Sequence, residues 1–110
     1  MIFAVETDDR TFMVFPTEEE ALAYCEGLDV EAAVWLFWND HSEPLEPKFS
    51  VPNKRGLFVV QNGVYSLLPA GLEHHAKLDE AIDEVLTFKG PPPFDSPDGV
   101  RAYLRRSRGK

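Results

Sequence analysis

Apolar residues gather in short runs along this chain, and the polar stretches between them predict where each element begins and ends. Ile2 to Glu6 and Thr11 to Phe15 are β-rich runs separated by Thr7-Asp8-Asp9-Arg10, which has the turn chemistry of a hairpin. Thr17 followed by Glu18, Glu19 and Glu20 matches a capping box, in which the threonine oxygen takes a free amide of the first turn. A helix is expected from there. Ala21, Leu22, Cys25 and Leu28 fall within about 120° of one another around it, while Glu19, Ala23 and Glu26 point away. Gly27 is expected to end it, because glycine accepts the left-handed conformation at a helix C-terminus.

Val34-Trp35-Leu36-Phe37-Trp38 is apolar on both faces of a strand and reads as the central strand of a sheet. Trp35 and Trp38, three positions apart, face opposite sides of it. Asn39 to Pro44 is rich in turn formers and leads to Leu45 to Val51, a strand demoted towards an edge by Pro47. After Pro52 to Gly56, the runs Leu57 to Gln61 and Val64 to Leu68 flank Asn62-Gly63, the pair that best tolerates a two-residue hairpin turn.

A second amphipathic helix is expected from about Leu72 to Leu86, with Leu78, Ala81, Ile82 and Val85 as its apolar stripe. Lys89 to Phe94 carries three prolines and reads as an extended arm. Ser96-Pro97-Asp98 is a further helix start, followed by Val100 to Arg106, with Ser107 to Lys110 expected to fray. The order is ββαββββα plus a short C-terminal helix. It predicts an α+β fold, an antiparallel sheet of about six strands with helices largely on one face. Residues 1–88 form the domain in this reading, and residues 89–110 a proline-rich arm and basic helix packed on it or extending from it.

With 110 residues, 44% of them apolar, the chain is long enough for one small core. Its longest apolar stretch, Ala32 to Trp38, is far shorter than the roughly 20 residues of a membrane-spanning helix. Met1 to Val5 runs straight into Glu6, Asp8 and Asp9, unlike a secretion signal, and Cys25 is the only cysteine. Both features point to the cytoplasm. Charge is distributed unevenly: all 19 acidic residues lie in the first 100 positions, whereas Arg101, Arg105, Arg106, Arg108 and Lys110 crowd the end. An acidic body repels phosphate backbones and attracts basic proteins, which argues against nucleic acid as a partner. The basic tail is expected to fold back on the body and relieve its self-repulsion.

Cys25 with His41, His74 or His75 contains the ingredients of a thiol nucleophile and its base, yet Cys25 sits on the apolar stripe of a helix. His75 and Asp79 are one helical turn apart and would meet one ion or form an acid–base pair, but no HExxH pattern or cysteine pair supplies further ligands. Neither GxGxxG nor GxxxxGK[ST] occurs. No cofactor and no metal is expected.

Thr17 to Glu31, then Trp35 to Asp40 and Glu43-Pro44-Leu45-Glu46-Pro47, resemble small acidic bacterial immunity proteins of polymorphic toxin and contact-dependent growth inhibition systems. The resemblance spans residues 1 to about 86. It implies a non-catalytic protein that sequesters a cognate toxin domain, often a nuclease, and is a monomer or homodimer when free. A carboxylate-bearing face suits that role as a phosphate mimic in a cationic groove. The candidate contacts are Glu19 and Glu26 on the first helix, Asp40 and Glu43 in the central loop, and Asp79, Glu80 and Asp83 on the second helix. Two other readings stand beside it: a small enzyme using Cys25 or His75 with Asp79, and a regulatory or dimerising module with a basic tail.

Overall fold

β1 (Ile2–Glu6) and β2 (Thr11–Phe15) pair antiparallel from Ile2↔Phe15 to Glu6↔Thr11, around the turn that Thr7 to Arg10 predicts. The computed structural model describes residues 1–108. On the other side of β1 runs β3 (Trp35–Asn39), antiparallel and in full register from Ile2↔Asn39 to Glu6↔Trp35. β4 (Pro44–Val51) joins β3 only through Phe37↔Leu45 and Trp38↔Pro44, then continues along β7 (Val64–Pro69). β8 (Thr87–Phe88) adds a short parallel edge to β2. The six-stranded sheet has the order β7-β4-β3-β1-β2-β8, and β5 (Lys54–Arg55) pairs with β6 (Val60–Gln61) in a separate hairpin.

The fold is α+β, as the sequence predicts, but its helices lie on both faces of the sheet. Successive residues of β1 point to opposite sides. Ile2 and Ala4 join Trp35, Phe37, Ala21, Cys25 and Val30 in one core cluster, which α1 (Glu18–Tyr24) and α2 (Gly27–Glu31) cover. Phe3 and Val5 join Trp38, Leu78, Ile82, Val100 and Leu104 in the other. That second cluster lies under α3 (Leu78–Ala81), the 3-10 turn Ile82–Glu84, and α4 (Pro97–Arg108). The one-face expectation fails because β1 and β3 are apolar on every residue between Ile2 and Val5 and between Trp35 and Trp38, so each face needs its own cover.

Four local expectations are corrected. Gly27 starts α2 and has no positive φ; instead Asn53 Nδ2 donates to its carbonyl at 3.0 Å, and a Cβ on Gly27 would fall 2.6 Å from Asn53 Oδ1. Asn62-Gly63 does not close a hairpin of its flanking strands, because β6 pairs with β5 and β7 with β4. Asn62 Oδ1 accepts from the Leu28 amide at 2.9 Å, Asn53 Oδ1 from the Gly63 amide at 2.7 Å, and a Cβ on Gly63 would fall 2.0 Å from the Val51 carbonyl. The helix expected over 72–86 shrinks to α3 and one 3-10 turn. Tertiary bonds compete for its first half: the Trp38 indole donates to Ala76 O at 2.7 Å, and the Leu78 amide to Ser42 O at 3.2 Å. Finally, β4 is an interior strand rather than an edge; Pro47 is tolerated because β3 has parted from it after Leu45.

The segment after β8 is a turn rather than an extended arm: the Phe94 amide donates to Pro91 O at 2.7 Å, and Phe94 is buried. Ser96 caps α4 as expected, accepting from the Gly99 amide at 3.1 Å. Ser107 and Arg108 belong to that helix, while the rest of the expected fray lies outside the described residues. None of the described helices is long and apolar enough to cross a membrane. The Thr17 cap forms too, accepting from the Glu20 amide at 3.2 Å, although the Glu20 carboxylate meets the threonine hydroxyl instead of closing the box on the amide.

Between α1 and the sheet, the Tyr65 hydroxyl donates to Cys25 O at 2.6 Å in a fully buried contact. Tyr65→Phe strands that carbonyl and is expected to cost about 1–3 kcal/mol, read as a lower urea midpoint at unchanged slope.

Candidate functional site

The acidic residues fall into two groups with different fates. Around α3 the chain answers part of its own charge. Arg101 of α4 is ion-paired with Asp83, and Arg10 lies 3.9 Å from Glu84. Asp79 accepts from the Ser42 hydroxyl at 3.4 Å, and its amide donates back to that oxygen at 3.1 Å. Asp40 lines a hollow with Arg106 and Tyr103 of α4, and Glu43 accepts from Asn39 at 3.2 Å. Glu80 is exposed beside them. The basic helix therefore lies against the acidic α3 side.

The α1–α2 side has no such counterweight. Among the described residues, no cation lies within ion-pair distance of Glu18, Glu19, Glu20, Glu26, Asp29 or Glu31. Here the fold builds a cleft of about 430 Å³, lined by Glu6, Asp8, Glu26, Asp29, Tyr24 and Trp35, with Val34. Glu6 ends β1 directly opposite Trp35 of β3. Thr7 fastens the β1–β2 turn to the α2–β3 connection: its amide donates to Val34 O at 2.7 Å and its hydroxyl to Ala33 O at 3.0 Å. That tie brings Asp8 towards Asp29, whose carbonyl accepts from the Val34 amide at 2.9 Å. Glu26 precedes α2 in extended conformation and its side chain makes no capping bond, which leaves the carboxylate free for a partner.

Two aromatic rings complete the cleft. Tyr24, at 57% exposure, stands edge-on to Trp35 with ring centroids 5.9 Å apart and packs on Phe15 at 5.5 Å. Carboxylates around aromatic faces suit a lysine or arginine side chain, which gains both ion pairing and cation–π attraction. The Glu6 carboxyl is held above its ordinary value by burial, then by the Asp9 charge and hydrogen bond and by Asp8, with Lys89 opposing. Like charges are thus crowded together with little internal relief.

Of the expected contacts, Glu26 lines this cleft, and Glu19 is exposed nearby on α1. Asp40, Glu43, Asp79, Glu80 and Asp83 lie outside it. Nothing in the sequence pattern marks Glu6, Asp8, Asp29 and Tyr24 as contacts. The nearest signal is the tight β1–β2 turn, whose acidic residues read there as turn formers alone.

The enzymatic combination does not assemble. Cys25 is sealed in the core on the α1 face, with its thiol pushed up to about 12 by burial and by the Asp29 and Glu6 charges. His75 packs edge-on against Trp38, at 5.0 Å, in the layer on the other face. Its Nε2–H donates to Phe37 O at 2.9 Å, so its Nδ1 accepts from His74 Nδ1–H at 2.6 Å. Burial holds His75 below the ordinary imidazole value, with His74 acting the same way and the Phe37 bond opposing. His75 also precedes α3, so it and Asp79 do not share a helical turn. Among the described residues, no group of three or more histidine, cysteine or acidic side chains is placed to hold a metal ion.

Comparison with protein-family models, with curated proteins and with solved structures finds no significant match.

Two outcomes follow from the site's electrostatics. Because folding raises the Glu6 value above 4.5, its favourable contribution is present below that pH and lost as the carboxyl ionises. Glu6→Gln is therefore expected to be more stable than the parent at neutral pH, with the difference vanishing in acid, as measured by thermal melts across pH. The Cys25 thiol is expected to resist a disulfide reagent in the native protein at mildly alkaline pH and to react completely in urea; rapid native labelling would reopen the nucleophile reading.

Proposed function

We propose that this protein is a non-catalytic inhibitor of the immunity type, which binds a cognate cationic toxin domain and blocks it through the acidic cleft and the adjoining α1–α2 face. The observation that supports this most is the contrast between the two acidic regions. Asp83 and Glu84 beside α3 meet the chain's own arginines, whereas Glu26, Asp29 and the α1 glutamates have no internal cation among the described residues. A surface left in that state is costly to the free protein and gains most when a basic partner covers it.

A nuclease is the favoured target class, because a groove shaped for phosphate presents the lysines and arginines that such a cleft accepts. Tyr24 supplies the aromatic part of the contact, held edge-on by the buried Trp35. Long-range attraction between the two fields speeds encounter by roughly 10- to 1000-fold at low salt. The proposal has the protein act in the cytoplasm and without a cofactor. It also moves the weight of the interface from Asp40, Glu43, Asp79, Glu80 and Asp83 towards Glu26 and its neighbours.

The test is calorimetric titration of the full chain with the toxin domain encoded beside its gene, together with protection of cells producing that domain. Glu26→Lys combined with Asp29→Lys is expected to weaken binding at least about tenfold and to flatten its salt dependence, while Glu43→Lys leaves it nearly unchanged. An adjacent toxin domain that is neutral or acidic, or binding undiminished by the double change, would sink the proposal.

A further inference from the structure

Hairpin β5–β6 ends in Gly56-Leu57-Phe58-Val59, closed by the Gly56 amide donating to Val59 O at 2.7 Å. Leu57 and Phe58 are each 93% exposed and Val60 72%, a run of apolar side chains that the chain's own core does not cover. Lys54 and Arg55 flank the tip, and among the described residues neither has an acidic partner within ion-pair distance. A contiguous exposed apolar patch of this kind marks an interaction site.

The same chain contains a receptor of matching chemistry. Between the sheet and α3 lies a cleft of about 460 Å³, walled by Leu36, Trp38 and Ala81, with Glu80, Glu84 and Arg10 at its rim. Arg10 faces Glu84 at 3.9 Å, while Glu80 has no cation within ion-pair distance among the described residues. The cleft is within the range of about 300–1,000 Å³ typical of pockets that take compact apolar ligands.

We propose that the occupant of this cleft is the β5–β6 tip of a second copy of this chain, exchanged reciprocally in a closed two-fold dimer. Leu57 and Phe58 enter against Leu36 and Ala81, and Lys54 and Arg55 lie over Glu80 and Glu84. Tip and cleft are complementary in polarity and in charge. Reciprocal exchange leaves neither tip in water, whereas one-sided insertion leaves a tip and a cleft open and propagates into a chain of molecules. A membrane surface suits an apolar tip with flanking cations less well, because a protein of formal charge −8 is repelled by anionic lipid. The interface uses neither the α1–α2 face nor the acidic cleft, so it stands independently of the toxin-binding reading.

Sedimentation velocity of the full chain over a concentration series tests it. The parent is expected to sediment as a dimer, and Leu57→Ser with Phe58→Ser to weaken association at least about tenfold. Both side chains are exposed, so thermal melts of the separated monomer are expected to stay unchanged. Glu80→Lys should weaken the dimer, and Lys54→Glu with Arg55→Glu in the same chain should restore it by inverting the contact. A monomer at every concentration, a dimer indifferent to the tip variants, or a Glu80→Lys chain that dimerises as the parent does would each overturn the proposal. So would a parent monomer that co-sediments with phosphatidylserine vesicles through its tip.

Discussion

The organising constraint is a pair of adjacent central strands, β1 and β3, that are apolar on both faces. Trp35 and Trp38 sit three residues apart on β3 and are buried on opposite sides, and Ile2 and Phe3 diverge in the same way on β1. A sheet of this kind is stable in water only when covered twice. A chain of 110 residues has few helices with which to do it. α1 and α2 take one face, and the brief α3 takes part of the other. α4 completes that second cover, placing Val100 and Leu104 beside Phe3, which also packs on Phe94 and Tyr103 at 5.5 and 5.9 Å.

The distribution of charge is a consequence of this arrangement. α4 carries arginines because of its sequence, but packing decides what they face. Docking α4 against the α3 side pairs Arg101 with Asp83 and puts Arg106 near Asp40, so that end of the protein is compensated in part. The α1–α2 side is separated from α4 by the whole sheet and gains nothing from it. An imbalance seen as a single number along the sequence thus becomes two surfaces of different character.

Much of the fold was legible where a local signal acts alone. The β1–β2 turn, the Thr17 and Ser96 caps and the apolar β3 all stand where residue chemistry places them. Signals failed where a distant group outbid the local one. Gly27 and Asn62-Gly63 carry turn chemistry, yet the Asn53 and Asn62 side chains clasp Gly27 and Leu28 across more than 20 positions of sequence and Asn53 also holds Gly63, and no glycine among the described residues takes positive φ. The stripe of Leu78, Ala81 and Ile82 faces the core as its spacing predicts, but hydrogen bonds to Ser42 and Trp38 leave room for only one turn of α-helix. The candidate cleft was legible in part, through Glu26. Its other walls meet only because Thr7 ties two connections together, and no pattern along the chain announces such a tie.

Phe3 packing on Phe94 and Tyr103 carries a further consequence, for the order of events during synthesis. The first core is complete once Leu67 has emerged from the ribosome, since its members lie between Ile2 and Leu67. The second needs Leu104, so Phe3, Phe12 and Trp38 wait exposed until nearly the whole of the described chain has been made. One core therefore closes well before the other during synthesis, and the interval between them is when the nascent chain most needs a chaperone.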